Sequence, residues 1–336
     1  MAQLSAFYAS LLRHELTARN RLHARDRVHV ESYGNPPVIV YAPENGRHGN
    51  FFDPAYTAIS TNPDWMCRFD KMHAQAARTL PKPQIDPVRR WRELDSSMSS
   101  DALLMNIFCT PGVLDSTPLR NMLGGGEETT PVFGWKARVP LANGRFDRTE
   151  VDMRLGSLLM EAKLTESDFQ TRAAPIVEAY RDFDQVFERD LLPRVEIPTA
   201  RPKRASEFPE DQSQEFESLV GDPETFSVVD SVLPPPSEPG YASYQLIRNV
   251  LAAYASNCSF CVIHDARRPD LREMWFEVMA AVKHSEMRVR LKVLTWQELS
   301  AYLPDELQEF LDHKYGIAAP GKDASPIGEA SAFEPI

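Results

Sequence analysis

The sequence predicts an α/β fold in which helices alternate with short apolar strands, and three stretches carry that prediction. Glu150 to Lys163, Glu-Val-Asp-Met-Arg-Leu-Gly-Ser-Leu-Leu-Met-Glu-Ala-Lys, reads as two strands joined at Leu155-Gly156-Ser157. Ser259-Phe-Cys-Val-Ile-His264 is almost continuously apolar, as a parallel strand covered on both faces must be. Tyr244 to Tyr254, just before it, has the spacing of an amphipathic helix.

In chain order, Leu4, Phe7, Tyr8, Leu11 and Leu12 fall at helical spacing within residues 3 to about 24. Arg13, Arg19, Arg21, Arg25 and Arg27 follow and are expected on a solvated face. Pro37 to Tyr41 reads as a short buried strand. Asn62-Pro63 opens another helix, with Asp64 in its first turn and Trp65, Phe69, Met72 and Ala76 facing inward. Residues 1–95 are therefore expected to form an α-rich N-terminal layer over the core. Arg89-Arg-Trp-Arg92 has a composition suited to phosphate contact and base stacking, or equally to a surface turn anchored by Trp91.

Residues 96–315 are expected to hold the core. Ser96 to Ser100 supplies helix caps ahead of Asp101-Ala-Leu-Leu-Met-Asn-Ile-Phe108. Gly124-Gly-Gly126 lacks the Lys-Ser/Thr of a phosphate loop and reads as a turn. Phe133 to Leu141 is a strand that turns at Asn143-Gly144 into the acidic strand. Ser167 to about Leu192 is expected to be helical, within an acidic, Pro-rich insertion covering about 167–240. A helix over about 268–284, a strand at Arg290–Leu294 and a capping box at Thr295-Trp-Gln-Glu298 follow. Gly316 ends the last helix, and residues 318–336 are expected to be a disordered tail.

The chemistry lies in the Glu150–Lys163 hairpin. Side chains alternate along a strand, so Asp152, Glu161 and Lys163 can project from one face. Two neighbouring carboxylates repel unless a hard divalent cation sits between them. A nearby lysine can then orient a water or neutralise a transferring phosphate. A bare Glu-x-Lys is worth little, because roughly one is expected by chance in a chain of this length. A related triplet, Asp312-His-Lys314, is read as surface charge on the last helix.

Asp, a short gap and Glu-x-Lys on an apolar strand resemble the PD-(D/E)XK nuclease superfamily, with Val151 standing where that name has Pro. The Ser-Ser run before Asn-Ile-Phe, Glu-Ala-Lys-Leu-Thr-Glu, Tyr-Gln-Leu-Ile-Arg-Asn and Leu-Thr-Trp are similar to a bacterial group of restriction endonucleases over about residues 85–315. The resemblance implies a restriction-endonuclease-like core of helix, three strands, helix and strand, here with an extra helix–strand unit. It implies a Mg²⁺-dependent DNA endonuclease (Mn²⁺ being an alternative ion) that hydrolyses phosphodiesters. Asp152, Glu161 and the Ala162 carbonyl would hold the metal, Lys163 would serve the attacking water, and Gln245 would line the site. Asp101 is the candidate for a further acid on the first core helix, Asn106 for a second polar group there, and Glu150 for a substitute ligand. The alternatives are a repair-type enzyme or exonuclease of the same fold, or a DNA-binding protein without activity. DNA recognition is expected in the N-terminal layer or the insertion, and cleavage of two strands suggests a homodimer.

Bulk properties set limits. The net charge of −11 argues against a non-specific nucleic-acid coat, although residues 1–95 carry 13 Lys/Arg against 10 Asp/Glu. Residues 196–240 hold 10 acids against 3 bases. No apolar run is long enough to span a membrane, and the start lacks the order of a signal peptide. Cys67, Cys109, Cys258 and Cys261 are too scattered for a disulfide framework, which favours a reducing, cytoplasmic setting with buried thiols at Cys258-Ser-Phe-Cys261. Gly-x-Ser-x-Gly is absent, and the eight histidines show no triad or metal spacing.

Overall fold

The computed structural model describes residues 2–74, 76–82, 90–124, 130–198 and 237–327. The N-terminal part begins with helix α1 (Ala2–His23), then two short hairpins, His29–Glu31 with Ile39–Tyr41 and Pro43–Glu44 with Arg47–His48. Helices α2 (Asp53–Thr61) and α3 (Pro63–Phe69) follow. Asn62 Oδ1 caps α3 by accepting from the N–H groups of Asp64 and Trp65 at 3.0 and 3.3 Å. Helix α4 (Ser100–Phe108) starts at Ser99, whose hydroxyl accepts from Ala102 N at 3.1 Å.

Five strands form the central sheet: β1 (Val132–Lys136), β2 (Glu150–Leu155), β3 (Leu158–Ala162), β4 (Ser259–His264) and β5 (Leu291–Thr295). They lie in the order β5-β4-β3-β2-β1. The β1–β2 and β2–β3 pairs are antiparallel, whereas β4 runs parallel to both β3 and β5. Helix α5 (Tyr244–Ala255) precedes β4, and α6 (Pro269–Ala280) makes the crossover to β5. Helix α7 (Asp305–Tyr315) ends at Gly316. The β2–β3 turn is a two-residue loop in which Gly156 takes φ 55°, a value that favours glycine and suits a tight hairpin.

Helices cover both faces of the sheet. On one face Val151, Leu159, Phe260 and Val262 pack with Ile247 and Val250 of α5 and with Leu271, Trp275 and Val278 of α6. On the other, Met153, Met160, Ala162, Cys261 and Ile263 pack with Leu12 and Leu16 of α1, Leu103, Leu104 and Ile107 of α4, and Leu307 and Leu311 of α7. Each buried Val, Leu, Ile, Phe or Met among them contributes about 1.5–3 kcal/mol, so this double cover explains why β3 and β4 read as apolar runs. The outer side of α4 packs through Ala102, Met105 and Cys109 against α2 and α3. Residues 1–95 are thus bound into the core from two sides.

Several expectations are corrected. Residues 167–192 are not one helix: a short strand, Arg172–Ala173, and the brief helices Ala174–Val177, Phe183–Val186 and Arg189–Leu191 take their place. The strand pairs with Ser237–Tyr241, which also pairs with Arg194–Pro198. Phe133–Leu141 divides into β1 and a separate two-residue strand, Val139–Pro140, paired with Phe146–Asp147. Arg19 is buried rather than solvated, bonded to Glu15 and to the carbonyls of Asp312 and Ser325. Arg89, Gly125, Gly126, most of the Pro-rich stretch and the last nine residues of the tail lie outside the described residues. Among the described residues no helix is long and apolar enough to cross a membrane.

Candidate active site

The β2–β3 ladder ends early. Its last paired residues are Met153 and Met160. Ala162 N, the next donor on that side of β3, is taken by Asp152 Oδ2 at 2.7 Å instead of by a β2 carbonyl. Lys163 N still reaches Ile263 O at 2.9 Å, so β3 stays bound to β4 while β2 leaves it.

The strand register explains the split. Phe133 pairs with Met153 and Trp135 with Val151, which sets Gly134 opposite Asp152. Strict alternation would place Val151 and Met153 on one face. Val151 and Trp135 instead join the core beneath α5, and Met153 and Phe133 join the core beneath α4. Both strands change parity at this point. Gly134 has φ 60°, and a Cβ there would stand 3.4 Å from Arg68 Cδ and 3.5 Å from Glu150 Oε2. A residue with a side chain would meet both an unfavourable backbone and the Arg68 side chain.

Glu161 and Lys163 are two residues apart on one side of β3, and the ammonium lies 2.9 Å from Glu161 Oε1. They are only 2 % and 5 % exposed, which excludes their being solvated surface charges. Burial opposes the Lys163 charge, but the carboxylates of Glu161, Glu166 and Asp152 outweigh it and raise the lysine pKa. Burial, followed by the negative charges of Glu161 and Asp101, pushes Asp152 well above the usual carboxylate range. Glu166 is held by Ser100 Oγ at 2.6 Å and Leu164 N at 2.7 Å, which ties the start of α4 to the end of β3.

Helix α5 forms the wall over this pair. Asn249, fully buried, donates from Nδ2 to Glu161 Oε2 at 2.7 Å. Its Oδ1 accepts from Arg248 Nη2 at 2.6 Å, which fixes the orientation of the amide. The same Arg248 nitrogen reaches Glu150 O at 2.7 Å, so the helix grips both diverging strands. Gln245 lies one turn before Asn249 on the same face, and its buried Oε1 has no hydrogen-bond partner.

A second charged layer comes from α3. Arg68 pairs with Asp101 on α4, stands 3.4 Å from Glu150, and its positive charge is felt at Asp152. Lys71 lies 3.3 Å from Glu150 and 3.2 Å from Glu93. Glu150 therefore serves as an ion-pair partner at the mouth of the site. Asp101 stands beside the acids as expected, though engaged by Arg68. Asn106 does not face the site: it accepts from Phe52 N and donates to Asn50 O and Ala102 O.

The donor set is entirely oxygen, as a hard cation requires. Each Glu161 oxygen accepts one hydrogen bond and keeps a further lone pair, while the unpartnered Gln245 oxygen adds a neutral donor. A divalent ion would also relieve the repulsion from Glu161 and Asp101 that adds to burial in raising Asp152. The residues therefore fit such an ion, although among the described residues no three His, Cys, Asp or Glu side chains converge into a metal cluster.

Other motifs resolve simply. Trp91 is buried with Nε1 donating to Pro81 O at 2.8 Å, and Arg92 pairs with Asp70, so that segment is an anchored turn. Cys109, Cys258 and Cys261 are buried free thiols, and Cys67 is an exposed one. Arg248, Asn249 and Glu166 were not singled out from the sequence. Asn249 was within reach, because it stands four residues after Gln245, but nothing local marked Arg68.

A family model described as restriction endonuclease associating with ARP matches residues 20–316, which include every site residue named above. No curated protein and no solved structure matches the chain. With more than half of its length matched, this chain belongs to the family of restriction endonucleases associating with ARP.

Proposed function

We propose that this chain is a metal-dependent deoxyribonuclease with a PD-(D/E)XK site built on Asp152, Glu161 and Lys163. One observation carries the reading: at the point where β2 leaves β3, half-buried Asp152 bonds the Ala162 N–H, while the buried Glu161 and Lys163 pair with each other beneath Asn249 of α5. The order α4, β1–β3, α5, β4 supports a restriction-endonuclease-like core, and the family match supports a nuclease acting on DNA.

Asp152, Glu161 and the Ala162 carbonyl would hold Mg²⁺ or Mn²⁺, with Gln245 as a neutral neighbour. The ion supplies Lewis-acid polarisation of the phosphodiester and a lower pKa for bound water. Lys163 positions the attacking water and balances charge on the pentavalent phosphate. Asn249 holds Glu161 by its Oε2, and Arg248 ties α5 to the Glu150 carbonyl at the start of β2. Arg68 limits repulsion among Asp101, Glu150 and Asp152. Cleavage of both strands by a chain with one such site calls for two copies. The four free thiols fit a reducing, cytoplasmic setting.

The test is cleavage of supercoiled plasmid with Mg²⁺ or Mn²⁺. Asp152→Ala and Lys163→Ala are expected to lose cleavage. Asp152→Ala should unfold close to the parent's temperature, whereas Lys163→Ala, which strips the buried Glu161 of its counter-charge, should unfold lower yet stay folded at the assay temperature. Discrete bands would indicate site recognition and a smear a general nuclease. Retardation of DNA without metal-dependent cutting would reject the enzyme reading.

A further inference from the structure

Lys136, Arg138, Arg145 and Arg148 stand together on the β1 edge and on the hairpin that joins β1 to β2. All four are exposed, and among the described residues none of their side chains forms an ion pair. Between residues 132 and 149 the only acid is Asp147, in a chain whose acids outnumber its bases 48 to 37. Asp147 is engaged by Tyr180 OH at 2.5 Å and Thr149 N at 2.8 Å, and among the described residues it forms no ion pair with the four cations. The Arg138 guanidinium lies 4.5 Å over the ring of Phe146, which is 43 % exposed at the outer end of the hairpin.

This hairpin is held firmly against the candidate site. Val139 is buried in the core under α5, and Leu141 packs on the same cluster. Ala142 N donates to Ala179 O at 2.8 Å, and Arg181 N donates to Pro140 O at 3.0 Å. The Tyr180 hydroxyl that binds Asp147 also lies 2.8 Å from Tyr244 OH, on the residue before Gln245. The base of the hairpin and the site wall thus share one hydrogen-bonded network. From Arg148 to Asp152 is four residues, about 13 Å at ~3.3 Å per residue. Measured along the axis of a duplex, that is the rise of roughly four base pairs at ~3.4 Å each.

We propose that the β1 edge and the 139–147 hairpin form the grip for duplex DNA, with Lys136, Arg138, Arg145 and Arg148 on backbone phosphates and Phe146 against a sugar or base edge. This deepens the nuclease reading and rests on it for the choice of DNA. A two-stranded ribbon with cations outside any ion pair and one exposed ring suits a nucleic-acid groove. The grip lies neither in residues 1–95 nor in the acidic insertion, where recognition was expected.

The experiment is fluorescence anisotropy of a labelled DNA duplex with the full chain in EDTA, over a range of salt. Each phosphate contact contributes about −0.9 to the slope of log affinity against log salt. Replacing all four cations by Gln is expected to reduce the slope by about 3 to 4 and weaken binding by more than ~tenfold near 0.1 M salt. The pairs Lys136→Gln/Arg138→Gln and Arg145→Gln/Arg148→Gln, measured separately, each take about half of that effect and serve if the fourfold variant unfolds. Phe146→Ala weakens binding without changing the slope. An unchanged slope and affinity in the charge variants, or tighter binding of an RNA duplex, overturns the proposal. Because EDTA removes the need for cutting, the two readings fail separately. Strip-dependent binding by a chain that never cleaves would sink the nuclease reading alone. Cleavage and binding indifferent to the four cations would sink the grip alone.

Discussion

The chain contains two acid-x-lysine triplets, Glu161-Ala-Lys163 and Asp312-His-Lys314, and the structure buries both lysines in opposite surroundings. On strand β3, positions two apart share a face, so acid and ammonium meet at 2.9 Å. On helix α7, positions two apart diverge. Asp312 turns to Ser325, accepting from its N and Oγ at 2.9 and 2.6 Å. Lys314 turns to the interior, where its Nζ donates to Asn20 Oδ1 at 2.9 Å and Asn50 Oδ1 at 2.7 Å. Among the described residues no carboxylate pairs with it, and the rings of Tyr41 and Tyr315 lie 5.1 and 4.2 Å away. Burial, with the nearby positive charge of Arg27, drives its pKa well below that of an ordinary lysine. The expectation that this triplet is surface charge is therefore overturned. The same acid-x-lysine spacing makes an ion pair on one backbone and a buried amine held by two amide oxygens on the other.

The contrast can be broken most sharply by exchanging each lysine for methionine. Lys163→Met is expected to lower the rate of plasmid cleavage by about 10² to 10⁴, the usual weight of a positioned catalytic group. Lys314→Met should leave that rate within about twofold of the parent, since it removes two hydrogen bonds to Asn20 and Asn50 and no contact to the site. Equal losses in both would show that the motif reading has the wrong triplet.

Asn249→Leu addresses what keeps the first triplet charged. It strips one donor from a buried carboxylate and one acceptor from Arg248, at a cost of about 1–3 kcal/mol. A shifted denaturant midpoint with unchanged m-value is the signature, and Asn249→Asp should be worse than Leu because it adds a third buried acid beside Asp152 and Glu161. A variant as stable as the parent would deny α5 its part in the site.

Proton linkage should separate the second triplet. Below its unfolded pKa of about 10.4, the unfolded chain protonates Lys314 while the folded chain, with its lowered pKa, binds that proton less. Stability must then rise with pH between the two values, by at most about 1.4 kcal/mol per pH unit. Chemical denaturation from neutral to alkaline pH would follow it, and Lys314→Met should flatten the rise. A profile identical in the two proteins would place the charge elsewhere.

The smallest effect concerns metal-free stability. Asp152→Asn removes one of several facing acids yet can still accept from Ala162 N, so a gain of about 1 kcal/mol is expected in thermal unfolding without metal. Added Mg²⁺ should stabilise the parent by about 2.7 kcal/mol at a hundred times its Kd and leave the variant unmoved.

Much of this was legible in the chain itself. The apolar runs of β3 and β4, the Asn62 and Thr295 caps and the Gly316 stop all took their expected places, because each rests on interactions within a few residues. The shared face of Glu161 and Lys163 followed from strand period alone. Their burial did not, since it depends on Asn249, 88 positions away. The helix expected over 167–192 failed for a similar reason. Phe183, Val186 and Phe187 are buried as the spacing implied, but Gln170 takes a positive φ of 62°, and Ala179 and Tyr180 give their backbone to the 139–147 hairpin. Non-local hydrogen bonds overrode the local period. The parity change at Gly134 and Asp152 left no sequence trace beyond the glycine.

Arg68 reaches into the acid cluster from residues that a domain parser would cut away. A chain trimmed to begin near residue 96 would retain Asp101, Glu150 and Asp152 but lose the guanidinium that separates them, and would also lose the Leu12 and Leu16 side chains from beneath the sheet. The smallest working unit therefore includes the front third of the polypeptide, and efforts to graft or miniaturise the hairpin must carry that counter-charge along.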